Sequence, residues 1–338
     1  MELGTRFTEQ FALTVPIAQA GMAFVGSTPD LAVAVSEAGG LGALGVGLMP
    51  APVLAETVKA VQDRTARPFH VNFITGFAEP EQIDVVCDAG VAAASFHWGH
   101  PPRAWIDRLH AAGARVLEQV GSVDEARRAV GDGVDVVVAQ GCEAGGHNRS
   151  TLPTFALVPL VVDAVAPALV LASGGIGDGR GLAAALMLGA DGAWVGTRLV
   201  ATAESDAHDG YKARLVAADA TDSVSTGIFG PENPQFNPMR VLRNRVVRDW
   251  ADRSGEVPAD PSAEPVIGHT SLLGEQIELR RFSNLVPMRG LTTGDLEEMA
   301  LLAGQGVGLV DAVEPAGAVI ARMTAEAVAA MGRYMNRV

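Results

Sequence analysis

The sequence has little that would cross-link it or anchor it. It holds two cysteines, Cys87 and Cys142, far apart and in no CxxC or zinc-finger spacing. That excludes a disulfide framework and a structural zinc site. No apolar run reaches about 18 residues without a glycine, proline or charge, so no membrane span is expected. The stretch Met1 to Gln10 carries Glu2, Arg6 and Glu9 and lacks the basic-then-apolar order of a signal peptide. The expected compartment is a reducing cytoplasm. Positive charge is also short, with 25 Lys and Arg against 39 Asp and Glu and a net charge of −14. So acidic a surface repels nucleic acid and anionic membranes, and neither is an expected partner. An anionic cofactor would need a local site. There is no HExxH or HxH, so no metal site is expected, and no GxxxxGK[ST], which excludes a Walker loop.

What is present is apolar residue and glycine. Apolar residues make up 48% of the 338 and charged residues 19%. That balance supports a large core and is the opposite of disorder. The 39 glycines have no period, which excludes collagen, and they gather at the ends of apolar runs. Turns and phosphate loops sit at such places. Eight short apolar runs recur: Val15–Gln19, Leu41–Gly45, Phe69–Phe73, Ala92–Phe96, Arg115–Val120, Val134–Gln140, Ala168–Ala172 and Gly192–Val195. Helix-like segments separate them. Near-continuous apolar strands suit a parallel sheet buried on both faces. Alternation with helices implies βαβ units. Eight is the barrel number, and no GxGxxG follows the first run. The expected fold is therefore α/β, a (β/α)8 TIM barrel.

Helix starts are marked by Ser27-Thr28-Pro29-Asp30, by Glu79-Pro80-Glu81 and by Ser122 three positions before Glu125. After Val200 the character changes, with more charge and proline up to Thr293. Apolar spacing at Tyr211–Ala220 and Met239–Arg253 reads as helix. The expected organisation is a barrel over residues 1–203, an inserted, mostly helical lid subdomain over 204–293, and C-terminal helices over 294–338, at Leu296–Leu302 and Ala316–Arg337. Loops after barrel strands lie on the catalytic face, so the insertion belongs there.

Four places carry chemistry. Ala172-Ser173-Gly174-Gly175-Ile176 ends the seventh run and Val195-Gly196-Thr197-Arg198 the eighth. Barrels often bind phosphate in these two loops through backbone N–H groups. Glycine lets the backbone come close, and the Thr197 hydroxyl would add a donor. Tight turns alone would use the same glycines, but two pairs at these two strand ends favour phosphate. Beyond the sixth run, Ala139-Gln140-Gly141-Cys142-Glu143-Ala144-Gly145-Gly146-His147 places a histidine after a glycine loop. Histidine is the usual base near neutral pH. Glu143 is either a solvated charge or a group that orients a neighbour. Ser95-Phe96-His97-Trp98-Gly99-His100 would wall a pocket, with His97 and Trp98 as substrate-side candidates. Gln19-Ala20-Gly21-Met22 would bring the main chain near a flat ring. Asn72, Gln119 and Gln140 end the third, fifth and sixth runs with amides that donate and accept. Cys142 as a nucleophile is the rival idea, but the adjacent Glu143 would raise the pKa of its thiol.

Taken together, these motifs resemble the nitronate monooxygenase family, formerly called 2-nitropropane dioxygenases. The resemblance spans nearly the whole chain, from Pro16–Met22 through Ser36–Gly42 to Ala303–Gly308. Its most specific part is Ala139–His147, similar to the family's AQGxEAGGH, completed by Ser173–Ile176 and Gly196–Arg198. It implies an FMN-binding barrel with a helical second domain. It implies FMN contacts from Ala20, Gly21, Met22, Asn72, Gln140, Gly145, Gly174, Gly175 and Trp194, Val195, Gly196 and Thr197. His147 matches the catalytic histidine, either holding an anionic nitronate or acting as base toward a neutral nitroalkane. The implied reaction uses O2 and yields a carbonyl compound and nitrite. The same superfamily includes enoyl-acyl-carrier-protein and quinone reductases that take hydride from NAD(P)H. A nicotinamide would then sit on the lid, where Arg240, Arg243 and Arg245 could bind a pyrophosphate or form a solvated face. The chain departs from the pattern at His70, where relatives commonly have glycine, at the bulky His97-Trp98 pair, and at Cys142.

Overall fold

The computed structural model describes residues 3–335. Met1 and Glu2 of the N-terminal stretch, and Asn336 and Arg337 of the expected last helix, lie outside the described residues.

The eight apolar runs become eight parallel strands: β1 (Ile17–Gln19), β2 (Gly42–Gly45), β3 (Phe69–Ile74), β4 (Ala93–His97), β5 (Arg115–Val120), β6 (Val136–Gln140), β7 (Leu169–Ser173) and β8 (Gly192–Val195). Each pairs in parallel with its sequence neighbour from β2 through β8, and β8 pairs with β1. A parallel bridge from Ala18 to Leu41 joins β1 to β2 and closes the ring. The helices between strands start where the sequence marks them. Ser122 Oγ accepts the N–H of Glu125 at 3.2 Å. Glu79 and Gln82 form a reciprocal capping box. Gly113 and Gly189 end helices at φ +83° and +94°, backbone that a side chain would strain.

Two shells of apolar side chains hold the barrel. Inside lie Leu117, Val136, Val138, Leu171 and Trp194. Phe7 and Phe11, from the helix Arg6–Phe11, plug the bottom with ring centroids 5.1 Å apart. Outside, valines and leucines of the strands pack against the helices. The last helix, Ala316–Met335, packs against the helices Gly179–Met187 and Pro29–Glu37. It takes the place of the barrel's eighth helix, so the long segment after β8 leaves the barrel at the C-terminal end of that strand and returns with this helix.

That segment differs from the expected mostly helical one. It carries the helices Asp209–Ala217 and Arg245–Trp250, but also five strands. β9 (Ser223–Thr226) pairs antiparallel with β10 (Met239–Leu242). β11 (Val266–Leu272) lies between β12 (Glu275–Arg280) and β13 (Thr292–Gly294). The stretch Met239–Arg253 splits at Asn244, whose side chain caps the helix by accepting Val247 N–H at 3.3 Å. Its first half is a strand because a non-local partner takes it: Met239 and Arg240 pair with His147 and Gly146. Leu296–Leu302 is likewise not a helix. Leu301 accepts the N–H of Leu242, and Leu302 bridges to Val241. Tertiary pairing has overridden local spacing in both places.

Candidate active site

At the C-terminal ends of the strands a cavity gathers most of the residues singled out in the sequence. Ala20, Gly21, Met22, Asn72, His97, Gln119, Gln140, Gly145, His147, Gly174, Gly175, Trp194, Gly196 and Thr197 all line it. Val195 does not; it is buried in the apolar layer behind. Trp98 does not either, and packs behind His147.

One wall is backbone. Past β7 the chain turns at Gly174 and Gly175, with φ +111° and +71°. Among the described residues, no protein acceptor takes the N–H of Gly175 or Gly196. Thr197 Oγ accepts the N–H of Gly304 at 2.9 Å, which leaves its own O–H to donate into the cavity. Three glycine loops meet here without side chains between them. A Cβ on Gly145 would lie 2.5 Å from Gly304 N, and one on Gly306 would lie 2.8 Å from Gly175 O. Gly304 and Gly306, in the segment Ala303–Gly308, line the cavity although nothing in their sequence pointed to a site. Their partnership with Gly145 and Gly175 explains their glycines. Glu143 orients a neighbour. Its carboxylate accepts Thr154 N–H and O–H at 2.9 Å, capping the helix Thr154–Val165. Burial and then Glu143 push the Cys142 thiol pKa up, so it is a poor nucleophile.

The opposite wall is side chain. His147 Nδ1 lies 2.5 Å from the Phe236 carbonyl, which can only accept, so Nδ1 carries the proton. Nε2 has no protein partner among the described residues. Burial lowers the pKa of His147, against a smaller opposing effect of the Phe236 bond. His97 Nδ1 accepts from Gln119 Nε2 at 2.6 Å. Burial, then the charges of His147 and Arg149, push its pKa down to about 3. Both rings are therefore neutral at pH 7.

Asn72 is held from behind. Its Nδ2 donates to Ser95 Oγ at 2.8 Å, and Ser95 O–H donates to His70 Nδ1 at 2.9 Å. His70 Nε2–H in turn donates to the Gln19 carbonyl at 3.0 Å. Full burial lowers the pKa of His70 to about 4, so the relay runs through a neutral ring. The departure at His70 is thus a structural link that fixes Asn72. A Cβ on Gly21 would lie 1.9 Å from Asn72 Cγ, so only glycine lets the β1 loop lie against it.

The roof was not legible in the sequence. It comes from Phe24 and Val25 after β1, and from Tyr211, Asn284, Val286 and Leu302. Tyr211 donates its O–H to the Leu302 carbonyl. Of the three arginines Arg240, Arg243 and Arg245, two are occupied, and Arg243 is exposed. Arg240 ties the Cys142 and Ser223 carbonyls at 2.9 and 3.0 Å, and Arg245 binds Asp295 and Glu298. No group of three metal-ligating side chains occurs among the described residues. No helix among them is long and apolar enough to cross a membrane.

A closed parallel barrel with its polar and titratable groups gathered at the strand ends defines a TIM-barrel enzyme. Comparison with known proteins narrows this. A family model described as Nitronate monooxygenase matches residues 5–81 and 73–326. Over 307 residues the chain is 32% identical to a probable nitronate monooxygenase of Staphylococcus saprophyticus, covering 77% of this chain and 84% of that one. It is 38% identical over 251 residues to the (3aS,4S,5R,7aS)-5-hydroxy-7a-methyl-1-oxo-octahydro-1H-indene-4-carboxyl-CoA dehydrogenase of Mycobacterium tuberculosis, covering 73% and 68%. Among solved structures, FabK from Thermotoga maritima matches at TM-score 0.80 with 32% identity over 99% of both chains. The nitroalkane oxidase of Streptomyces ansochromogenes matches at 0.76 with 29% identity over 97% and 99%. The chain belongs to the nitronate monooxygenase family and is an oxidoreductase.

Proposed function

We propose that this protein is an FMN-dependent oxidase of nitroalkanes and their nitronate anions, consuming O2 and releasing a carbonyl compound and nitrite. The observation that carries the reading is the state of His147. Its Nδ1–H is engaged by the Phe236 carbonyl, and burial keeps the ring neutral. The unprotonated Nε2 is equipped to take the proton next to the nitro group of a neutral nitroalkane. Once protonated, the same nitrogen is a donor for a nitronate oxygen. The family match and the nitroalkane oxidase likeness support the substrate class.

The residues present fit FMN. The free N–H groups of Gly175 and Gly196 and the Thr197 hydroxyl suit a phosphate. The amides of Asn72, Gln119 and Gln140 suit a ring edge of mixed polarity, and the Ala20-Gly21-Met22 main chain suits its face. When bound, FMN would supply the electron acceptor. The chain's own part is to aim the substrate, place a base and exclude water beneath the roof of Phe24, Val286 and Leu302. In this reading residues 204–293 are the lid.

A second reading, an NAD(P)H-dependent FMN reductase of an enoyl thioester or quinone, is supported by the likeness to the mycobacterial thioester dehydrogenase and to FabK. Anaerobic mixing of the FMN-loaded protein separates the two. Propyl nitronate or nitroethane should bleach the flavin, and NADH or NADPH should not. Bleaching by the nicotinamide alone would replace the first reading with the second. A colourless protein that cannot be reconstituted with FMN would sink both.

A further inference from the structure

Trp98 stands outside the cavity, yet it touches what decides the chemistry of His147. It follows β4 at φ +60°, a left-handed backbone conformation that disfavours a bulky side chain. Its Nε1–H donates to the Gln235 carbonyl at 2.9 Å. The next carbonyl along the chain, Phe236, accepts His147 Nδ1–H at 2.5 Å. The three rings close around these bonds, with Trp98 centred 5.4 Å from His147 and 6.1 Å from Phe236. Gln235 and Phe236 belong to one short turn, Pro234–Phe236, in the segment after β8. Two N–H groups of the barrel therefore hold two consecutive carbonyls of one turn of that segment.

Which nitrogen of a neutral imidazole carries the proton is set by the bond the other nitrogen makes. We infer that Trp98 is a positioning residue: its indole N–H pins the turn Pro234–Phe236, so that the Phe236 carbonyl holds His147 as the Nδ1–H tautomer with its Nε2 lone pair free. The importance of that lone pair rests on the base role proposed for His147. With Trp98 unable to donate, the turn keeps the His147 bond and the packing of Phe236 on Phe77 but loses its second side-chain hydrogen bond, and the Nε2–H tautomer competes. In that tautomer Nε2 donates and cannot take a proton. Trp98 would then act on the reaction without touching substrate, which agrees with its position behind the cavity wall. Phenylalanine would keep an aromatic ring here but would leave the Gln235 carbonyl without its donor.

The test is Trp98→Phe in the FMN-loaded protein with 15N-labelled histidine. Long-range 15N–1H correlation reads the His147 tautomer, and His147→Asn assigns its signals. In the unmodified protein Nδ1 should appear protonated and Nε2 unprotonated. In Trp98→Phe the pattern should move toward the Nε2–H form. The kcat with a neutral nitroalkane should fall about fivefold, the scale of one lost hydrogen bond, with KM nearly unchanged. An unmoved tautomer overturns the inference. So does a raised KM with unchanged kcat, which would make Trp98 a substrate contact. If the variant does not fold, hydrogen exchange in the unmodified protein decides. The Trp98 indole N–H should be protected, and unprotected exchange there overturns the inference. A shifted tautomer with kcat and KM both unchanged would instead leave the inference standing and remove His147 as base.

Discussion

The two walls of the cavity are made of different materials. Toward β7 and β8 the surface is main chain, and three glycine loops lie so close that a methyl group on Gly145 or Gly306 would meet backbone atoms. Toward β3–β6 the surface is side chain: Asn72, His97, Gln119 and His147, each steadied by a bond to a neighbour. A main-chain wall presents fixed N–H groups and no proton that titrates near pH 7. A side-chain wall can change its protonation and its aim. In the proposed function the first holds a phosphate and the second does the proton chemistry, so substitutions on the two should fail in different ways.

The largest effect is expected at His147. His147→Asn should keep FMN and lose about a hundred- to ten-thousand-fold in turnover of a neutral nitroalkane. Flavin content per chain and steady-state rates check both halves. Unchanged turnover would remove His147 from the mechanism, and lost flavin would erase the contrast between the walls. In the intact enzyme a base must be unprotonated to work. Burial lowers the pKa of His147 from its ordinary value of 6.5, so the acid limb of kcat/KM should have its midpoint below pH 6.5. A midpoint at or above that value contradicts the buried ring.

Next in size is the pH dependence of stability carried by His70 behind the same wall. Unfolded, its ring titrates near 6.5; folded, at about 4. Between these values the unfolded chain binds a proton that the native state does not. The stabilisation is therefore complete above pH 6.5 and is lost as pH falls toward 4, by about 3 kcal/mol. His97, with a pKa near 3, acts in the same direction. Denaturant unfolding from pH 7 to pH 4 measures the slope, and His70→Gln should flatten it. Equal slopes in both proteins would mean that His70 titrates normally when folded.

On the main-chain wall, Gly196→Val should do the reverse of His147→Asn. A Cβ here meets only the Ala20 methyl, at 3.4 Å, so the first side-chain carbon meets no backbone. The added methyls would fill the space assigned to phosphate, and overpacking of a few methylenes is worth about 1–3 kcal/mol. FMN affinity should drop about tenfold or more, with the melting temperature of the flavin-free protein held within a few degrees. Undiminished affinity would move the phosphate elsewhere.

The same contrast governs what could be read in advance. The barrel strands were legible because each is a local apolar run, and β5 and β8 match the expected bounds to the residue. The main-chain wall was legible because glycines recur at the ends of both the seventh and eighth runs, where tight turns alone would explain one pair more easily than two. The segment after β8 was not. β10 forms because Gly146 and His147 offer it an edge, and nothing in the spacing of Met239–Leu242 announces a partner some ninety residues earlier. The tautomer of His147 was equally hidden, since it depends on a carbonyl, and every residue has one. His147 could be singled out from its motif, but in the proposed function its choice between base and anion donor depends on Phe236 O.

The smallest effect is expected at the far end of the barrel, and it tests whether either wall is special. Arg6 grips Asp191 through two bonds, Nε to Oδ1 at 2.8 Å and Nη2 to Oδ2 at 2.7 Å. Asp191 also accepts the N–H of Val170 at 3.0 Å. The pair fastens the plug helix Arg6–Phe11 to the bottom of β7 and β8, below the strands whose tops form the main-chain wall. The Arg6 side chain is 52% exposed, so water and salt screen the attraction. Bidentate geometry keeps it near the upper end for a surface pair, about 1 kcal/mol or less. Arg6→Ala should therefore lower the melting temperature by a few degrees at most. FMN affinity, kcat and the acid limb should all stay as they were. In barrels the lower face serves stability and the upper face chemistry. If Arg6→Ala weakened FMN binding as Gly196→Val should, the glycine wall would be answering to strain passed along β7 and β8, and the separation between bottom and top would not hold in this protein.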